Sequence, residues 1–242
     1  MRSRFKAARP AAAAAAGALA ALACLAVAAA ALAAAKPVSP ASAKAVATAI
    51  NLRHSDLPTL KVQGNPVTAQ DRQNNAKLAA CIGETRPSKT LADVDSSNFV
   101  GPSPDTLTIS SEAQIQPSAA AVTSDLAAIR RPAALSCLQS ALVKALATTA
   151  PKGSTYTVST ARLGATLPGT TGVAAVRVTA IFHVKQGSKT VTVPAYIDDV
   201  GFAYGQAEVS LNVISTLQPP SATLETKLAE LLVARTRSAI GA

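Results

Sequence analysis

The sequence predicts an α+β fold: a curved antiparallel sheet of about five strands packed against helices. Three observations predict it. From residue 154 to 214 apolar side chains recur at every second position, in runs long enough for strands. Between residues 67 and 150 they recur at spacings of three and four, as on one face of a helix. After Pro219-Pro220-Ser221 the helical spacing returns at Leu224, Leu228, Leu231 and Leu232. Helices gathered before strands, with one helix closing the chain, define the α+β pattern.

The elements follow in order. Arg2, Arg4, Lys6 and Arg9 precede an uncharged Ala/Leu/Val run over 11–35, and small-residue cleavage patterns follow at Ala33-Ala34-Ala35 and Ala41-Ser42-Ala43. That is the layout of a secretory signal over 1–43. The run is also long enough to stay as an N-terminal membrane anchor through residues 11–35. Lipidation at Cys24 fits less well, because Ala21 stands three residues before it and the apolar run continues beyond it. Residues 44–50 read as a linker and 51–242 as a single exported domain. Six of the 23 Lys and Arg and none of the 13 Asp and Glu fall within 1–44, leaving 17 basic against 13 acidic side chains. The +10 charge of the whole chain is thus largely a targeting feature. No basic stripe with interleaved aromatics follows it, which argues against a nucleic-acid partner.

Within the domain, Leu78 and Ile82 lie one turn apart before Gly83, a helix end that carries Cys81. Residues 84–104, with Pro87, Pro102 and Pro104, read as loop, and 105–116 as a strand around Leu107 and Ile109. Pro117-Ser118 opens a helix with Val122, Leu126 and Ile129 on one face; a second, after Pro132, carries Leu135, Leu138, Leu142 and Leu146, with Cys137 beside that stripe. In the strand region Val176, Val178, Ala180, Phe182 and Val184 alternate with Arg177, Thr179, Ile181, His183 and Lys185. Val191, Val193, Ala195 and Ile197 belong to the next strand and Ala207, Val209, Leu211 and Val213 to the last, giving an antiparallel meander with one apolar face. Asp198-Asp199-Val200-Gly201 reads as a bend between strands.

No catalytic, metal or cofactor site emerges. His54 and His183 lie outside any metal-ligand spacing. His54-Ser55-Asp56 holds hydrolase residue types, but neighbours in an extended chain diverge, and no GxSxG elbow accompanies them. With Cys24 in the leader, Cys81 and Cys137 remain as an even pair, which in an exported protein forms a disulfide between two helices. The polar side of the meander is the candidate ligand face, with Arg162, Arg177, His183, Lys185, Tyr196 and Asn212 on or beside it.

Several short motifs carry a resemblance: the Ser55–Pro58 lead-in (Ser-Asp-Leu-Pro), Cys-Ile-Gly from Cys81, the Val94-to-Phe99 stretch (Val-x-Ser-Ser-x-Phe), and a second cysteine at Cys137 before a meander and final helix. In these the chain resembles exported actinobacterial domains related to LpqN-type lipoproteins and to the extracellular sensor domain of PknH-type kinases. The resemblance implies a PsbP-like α/β sandwich and a non-catalytic ligand- or protein-binding module of the cell envelope, its partner an unidentified small molecule or envelope protein. The chain departs from those sensors in having cysteines for one disulfide where they have two, and in lacking a kinase domain. A secreted hydrolase with an unrecognised site and a purely structural wall protein are the competing readings.

Overall fold

The computed structural model describes residues 36–64, 69–83, 90–102, 107–149, 154–186 and 188–241. The leader, Cys24 and the proposed anchor at 11–35 lie outside them. The elements are α1 (Pro40–Ile50), a 3-10 turn (His54–Asp56), β1 (Lys61–Gln63), α2 (Ala69–Ile82), β2 (Ala92–Asp95), β3 (Asn98–Val100), β4 (Thr108–Ile115), α3 (Ala119–Ile129), α4 (Pro132–Thr149), β5 (Thr155–Arg162), β6 (Gly172–Gln186), β7 (Lys189–Tyr204), β8 (Ala207–Thr216) and α5 (Ala222–Ile240). Among the described residues one eight-stranded sheet runs β1-β3-β4-β8-β7-β6-β5, with β2 beside β3 on β4, and these strands pair antiparallel.

The expected five strands become eight because 61–63, 92–95 and 98–100 are strands too short to show a period. β2 and β3 are one edge interrupted by a bulge: Asp95 faces Glu112 while Phe99 faces Ile109, so one extra residue is accommodated at Ser96-Ser97. Buried Ser96 makes this possible. Its Oγ accepts from the Ser111 amide at 2.8 Å and donates to the Ser97 carbonyl at 2.8 Å. Ser111 Oγ in turn donates to Asn51 Oδ1 at 2.9 Å, and Asn51 Nδ2 donates to the Val94 carbonyl. The Val94–Phe99 motif thus ties the sheet edge to the end of α1.

The linker expected at 44–50 is a correction: those residues lie inside α1. Ser39 caps this helix, accepting from the Ser42 amide at 3.3 Å, and Pro40 sits in its first turn. Ala43, Ala47 and Ile50, spaced by four and three, are 0% exposed. The folded chain extends upstream of α1 as well. The Lys36 amide donates to the Ile240 carbonyl, and the Val38 amide to Gln206 Oε1 at 2.7 Å. A cut after Ala43 would therefore sever α1 and remove part of the core.

Two helical layers flank the sheet and are offset from each other. On one side α1 and α5 pack over β4, β8 and the end of β7: Ile50, Leu228 and Leu232 meet Ile109, Val200, Phe202, Val209 and Leu211. On the other side α3 places Val122 and Leu126 against Ala174 and Ala203, and α4 places Leu138, Leu142 and Leu146 against Val158, Val178 and Ala180. At Gly172 a Cβ would meet Leu126 Cδ2 at 2.3 Å, so glycine is needed where α3 crosses β6. A disulfide joins Cys81 of α2 to Cys137 of α4, with Cα atoms 5.9 Å apart.

The single apolar face expected of the meander is corrected here. On β7, Val191, Val193, Ala195 and Ile197 share the α4 side while Val200, Phe202 and Tyr204 share the α5 side. The apolar phase reverses at Asp198-Asp199, yet the strand passes through without the expected bend. One layer of helices ends and the other begins on the opposite face.

Candidate functional site

The offset of the layers leaves half of one sheet face without a described helix over it. It is the α5 side of β5, β6 and the first half of β7. The register places Thr155, Thr157 and Ser159 there from β5, with Arg177, Thr179, His183 and Lys185 from β6 and Thr190, Thr192 and Tyr196 from β7. The three β5 residues, Lys185, Thr190 and Thr192 are exposed, and the other four are half-buried. Period-two alternation produces this: every second residue of β6 is apolar and buried under α4, so the polar remainder faces away from it.

Four of the six residues expected on the ligand face therefore come together: Arg177, His183, Lys185 and Tyr196. Arg162 and Asn212 do not, because Arg162 pairs with Val176 and Asn212 with Asp199, both on the opposite face. Arg162 has a structural task there. Its Nη2 donates to the carbonyls of Ile129 and Arg131 at 2.8 and 3.0 Å, satisfying the end of α3. His183 Nδ1 lies 3.1 Å from Thr192 Oγ1 across the strand pair.

The inner end of this face is a charged cluster. Arg177 Nε donates to Asp198 Oδ1 at 2.7 Å and Nη2 donates to Oδ2, a side-on bidentate pair. Asp198 is fully buried, while the Arg177 side chain keeps 26% of its surface exposed. The guanidinium lies over the Tyr196 ring, 6.0 Å from its centre. Glu225, buried in the first turns of α5, faces the same pair. Burial, then a hydrogen bond with Asp198 and its charge, push the Glu225 carboxyl up to about 8, against the pull of Arg177. At neutral pH Glu225 holds a proton in contact with Asp198, and its Oε1 has no partner among the described residues. The hydrogen bond with Asp198 raises Arg177 further into its charged form.

A second cluster occupies the opposite face. Asp93 and Asp95 on β2, Glu112 on β4 and Asp199 on β7 share it by register. Burial first, then the Glu112 charge, raise Asp95 to about 6 and Asp199 to about 7; burial and Asp93 raise Glu112 to about 7. Gln114 Nε2 donates to Glu112 Oε1 at 2.5 Å. Among the described residues no His, Cys, Asp and Glu are grouped to hold a metal ion. Sequence reasoning missed this cluster because 92–95 read as loop and Asp199 as a bend. The period-two spacing of Asp93 and Asp95 around Val94 was its one visible sign.

His54-Ser55-Asp56 forms the 3-10 turn. His54 and Ser55 are exposed, and Asp56 takes a bidentate pair from Arg235 of α5 at 2.7 Å for each oxygen. Burial opposes ionisation, but hydrogen bonds from Arg235 and the Arg53 amide hold Asp56 below the usual carboxylate range. Asp56 thereby fastens the lead-in to α5.

No family model matches the chain and no curated protein matches it. A solved structure, the extracellular domain of PknH from Mycobacterium tuberculosis, is similar at a TM-score of 0.43 and 13% identity, over 84% of this chain and 98% of that one. It is an extracellular domain of the kind the short motifs resemble, and a TM-score below 0.5 adds no weight to that resemblance. Among the described residues no helix is long and apolar enough to cross a membrane.

Proposed function

We propose that the chain is an exported, non-catalytic binding or sensing domain of the cell envelope, of the PsbP-like, actinobacterial lipoprotein-related kind, that takes a small molecule or envelope partner on its bare sheet face. The observation that carries this is the half-face bearing Arg177, His183, Lys185 and Tyr196 with a field of hydroxyls and no described helix over it. Export is supported by the leader pattern and by the Cys81–Cys137 disulfide, a bond that persists in oxidising compartments. Because α1 starts at Pro40 and Val38 is buried, the earlier cleavage pattern, Ala33-Ala34-Ala35, is the one that preserves the fold.

Intact mass and N-terminal sequencing of the protein from fractionated cells test this reading. The expected product begins at Lys36, lies outside the cytoplasm and weighs two hydrogens less than the dithiol. A diacylglycerol adduct at Cys24 would make it a lipoprotein, and a retained leader an anchored domain. A cytoplasmic chain with free thiols would overturn export.

A further inference from the structure

We infer that the bare face contains a subsite for an oxyanion carried on a polyhydroxylated compound, with the outer edge of the Arg177 guanidinium as its anchor and the hydroxyl row Ser159–Thr179–Tyr196 as its floor. This deepens the proposed function and rests on the bare face being the ligand surface.

The geometry of Arg177 carries the inference. A guanidinium offers two bidentate edges. Asp198 takes the Nε/Nη2 edge, and Nη1 donates to nothing among the described residues. The second edge, Nη1 with the remaining Nη2 hydrogen, is thus available on a side chain whose position is already fixed. Asp198 holds one edge and Tyr196 lies beneath the plane, so little rotamer freedom remains for a ligand to remove. Such an edge matches a carboxylate or a phosphate in an end-on fork.

The cluster also has room for a negative charge. Asp198 and Glu225 are two carboxyls in contact beside one guanidinium, and the proton on Glu225 leaves a single negative charge to match the single positive one. An incoming anion meets a neutral group with an open donor edge. Lys185, exposed eight residues further along the same strand and face, adds positive charge to the face and has no salt bridge among the described residues. The described carboxylates outside this cluster that lie on the sheet, Asp93, Asp95, Glu112, Asp199 and Glu208, are on the other face.

The hydroxyl row defines the carrier. Ser159 pairs with Thr179 and Thr179 with Tyr196, so three hydroxyl-bearing residues stand side by side on adjacent strands, their backbones at steps of about 4.8 Å. The row is two residues, about 7 Å, along β6 from Arg177. A sugar acid or sugar phosphate spans that distance with its ring over the row.

The test is a 1H–15N chemical-shift titration of the oxidised full-length chain with glucuronate, glucose 6-phosphate and glucose at equal millimolar concentrations. The expected result is perturbation of amides in 157–161, 177–183 and 194–198 by one or both anions, weak or absent with glucose; the two anions separate a carboxylate from a phosphate ligand. Arg177→Lys, which keeps the charge and loses the fork, is expected to weaken binding about tenfold. The double variant Arg177→Gln with Asp198→Asn removes both charges together and guards against a fold lost to an unpaired aspartate; it too should lose the anion preference. Equal shifts with glucose, or unchanged affinity in Arg177→Lys, would overturn the anion anchor while leaving the face as the ligand surface. Shifts confined to other surfaces, or none with any of the three, would overturn both.

Discussion

The two sides of the sheet are held by different means. On the α1/α5 side the contact residues are closed off completely: Ile50, Ile109, Val209, Leu211 and Leu232 are 0% exposed. On the α4 side Leu138, Leu142 and Leu146 are only partly buried against a small cluster, and the covalent bond from α2 to α4 lies in this layer. The side with the larger core holds by packing. The side with the smaller one carries the staple, the usual complement to a core too small to hold alone. The bare face belongs to the β5–β7 half, on the reverse of the stapled layer, so the disulfide can act on stability without touching that face.

The largest effect expected is on that staple. Cys81 and Cys137 are 56 residues apart, and opening the loop should cost about 4 kcal/mol in the chain-entropy model. The loss should be local. Hydrogen exchange in the Cys81→Ser, Cys137→Ser variant should rise in α2 and α4 while α1 and α5 stay protected. Uniform loss of protection would mean that the two sides form one cooperative unit and that the contrast drawn between them is wrong.

A smaller and sharper contrast lies at the point where the sides exchange. Asp198 and Asp199 are neighbours on β7 that face opposite ways. Asp198 is buried with Arg177 on it, whereas the Asp199 carboxyl is raised to about 7 by burial and by Glu112. Arg177→Ala should cost about 3 kcal/mol, because it leaves a buried carboxylate without its cation. Asp199→Asn should be neutral or stabilising, since it removes a charge that the fold disfavours. Urea denaturation midpoints of the two variants check this, and a larger loss in Asp199→Asn would reverse the assignment.

What the sequence disclosed follows from these contrasts. Strand and helix periods were visible wherever a segment ran long enough, as on β6, β8 and α5. Missing were the features that depend on which strand lies beside which. Arg162 and Arg177 look alike as polar strand residues, and only the register, with Arg162 opposite Val176, sends them to different faces. The reversed phase at Asp198-Asp199 looked like a bend because a change of covering layer and a change of direction leave the same mark in the pattern. The α1 helix was hidden by composition: Ala, Ser, Pro and Lys continue the character of the leader, although the Ser39-Pro40 cap and the spacing of Ala43, Ala47 and Ile50 were there to be read. The meeting of Glu225 with Asp198 depends on how α5 docks, which no local pattern encodes.

The smallest effect expected, and the one that separates the two faces most directly, is the pH dependence of stability. Asp95, Glu112, Asp199 and Glu225 have folded-state values of about 6, 7, 7 and 8, against ordinary values of 3.8 for aspartate and 4.5 for glutamate. Between those ordinary values and the raised ones, the unfolded chain has released protons that the folded chain still holds. Stability therefore falls as pH rises through this window and is greatest with respect to these groups below about 4. Asp56, held low, has the opposite sign: its pairing with Arg235 stabilises above the ordinary aspartate value and is lost as pH falls through its folded value. Together they place the optimum on the acid side of neutrality, with Tm rising on acidification from pH 8 to 5. Glu112→Gln should flatten part of that rise, because it removes Glu112's own titration and the charge that is the second cause, after burial, of the shifts at Asp95 and Asp199. Glu225→Gln should remove one proton's share of the slope across its whole window, from the ordinary glutamate value to about 8, including the stretch from about 7 to about 8 that it alone of the four supplies, and leave the opposite cluster as it was. If Glu112→Gln also removes the slope between about pH 7 and 8, the two faces are electrostatically coupled through the sheet, and Asp198 and Asp199 do not belong to separate clusters.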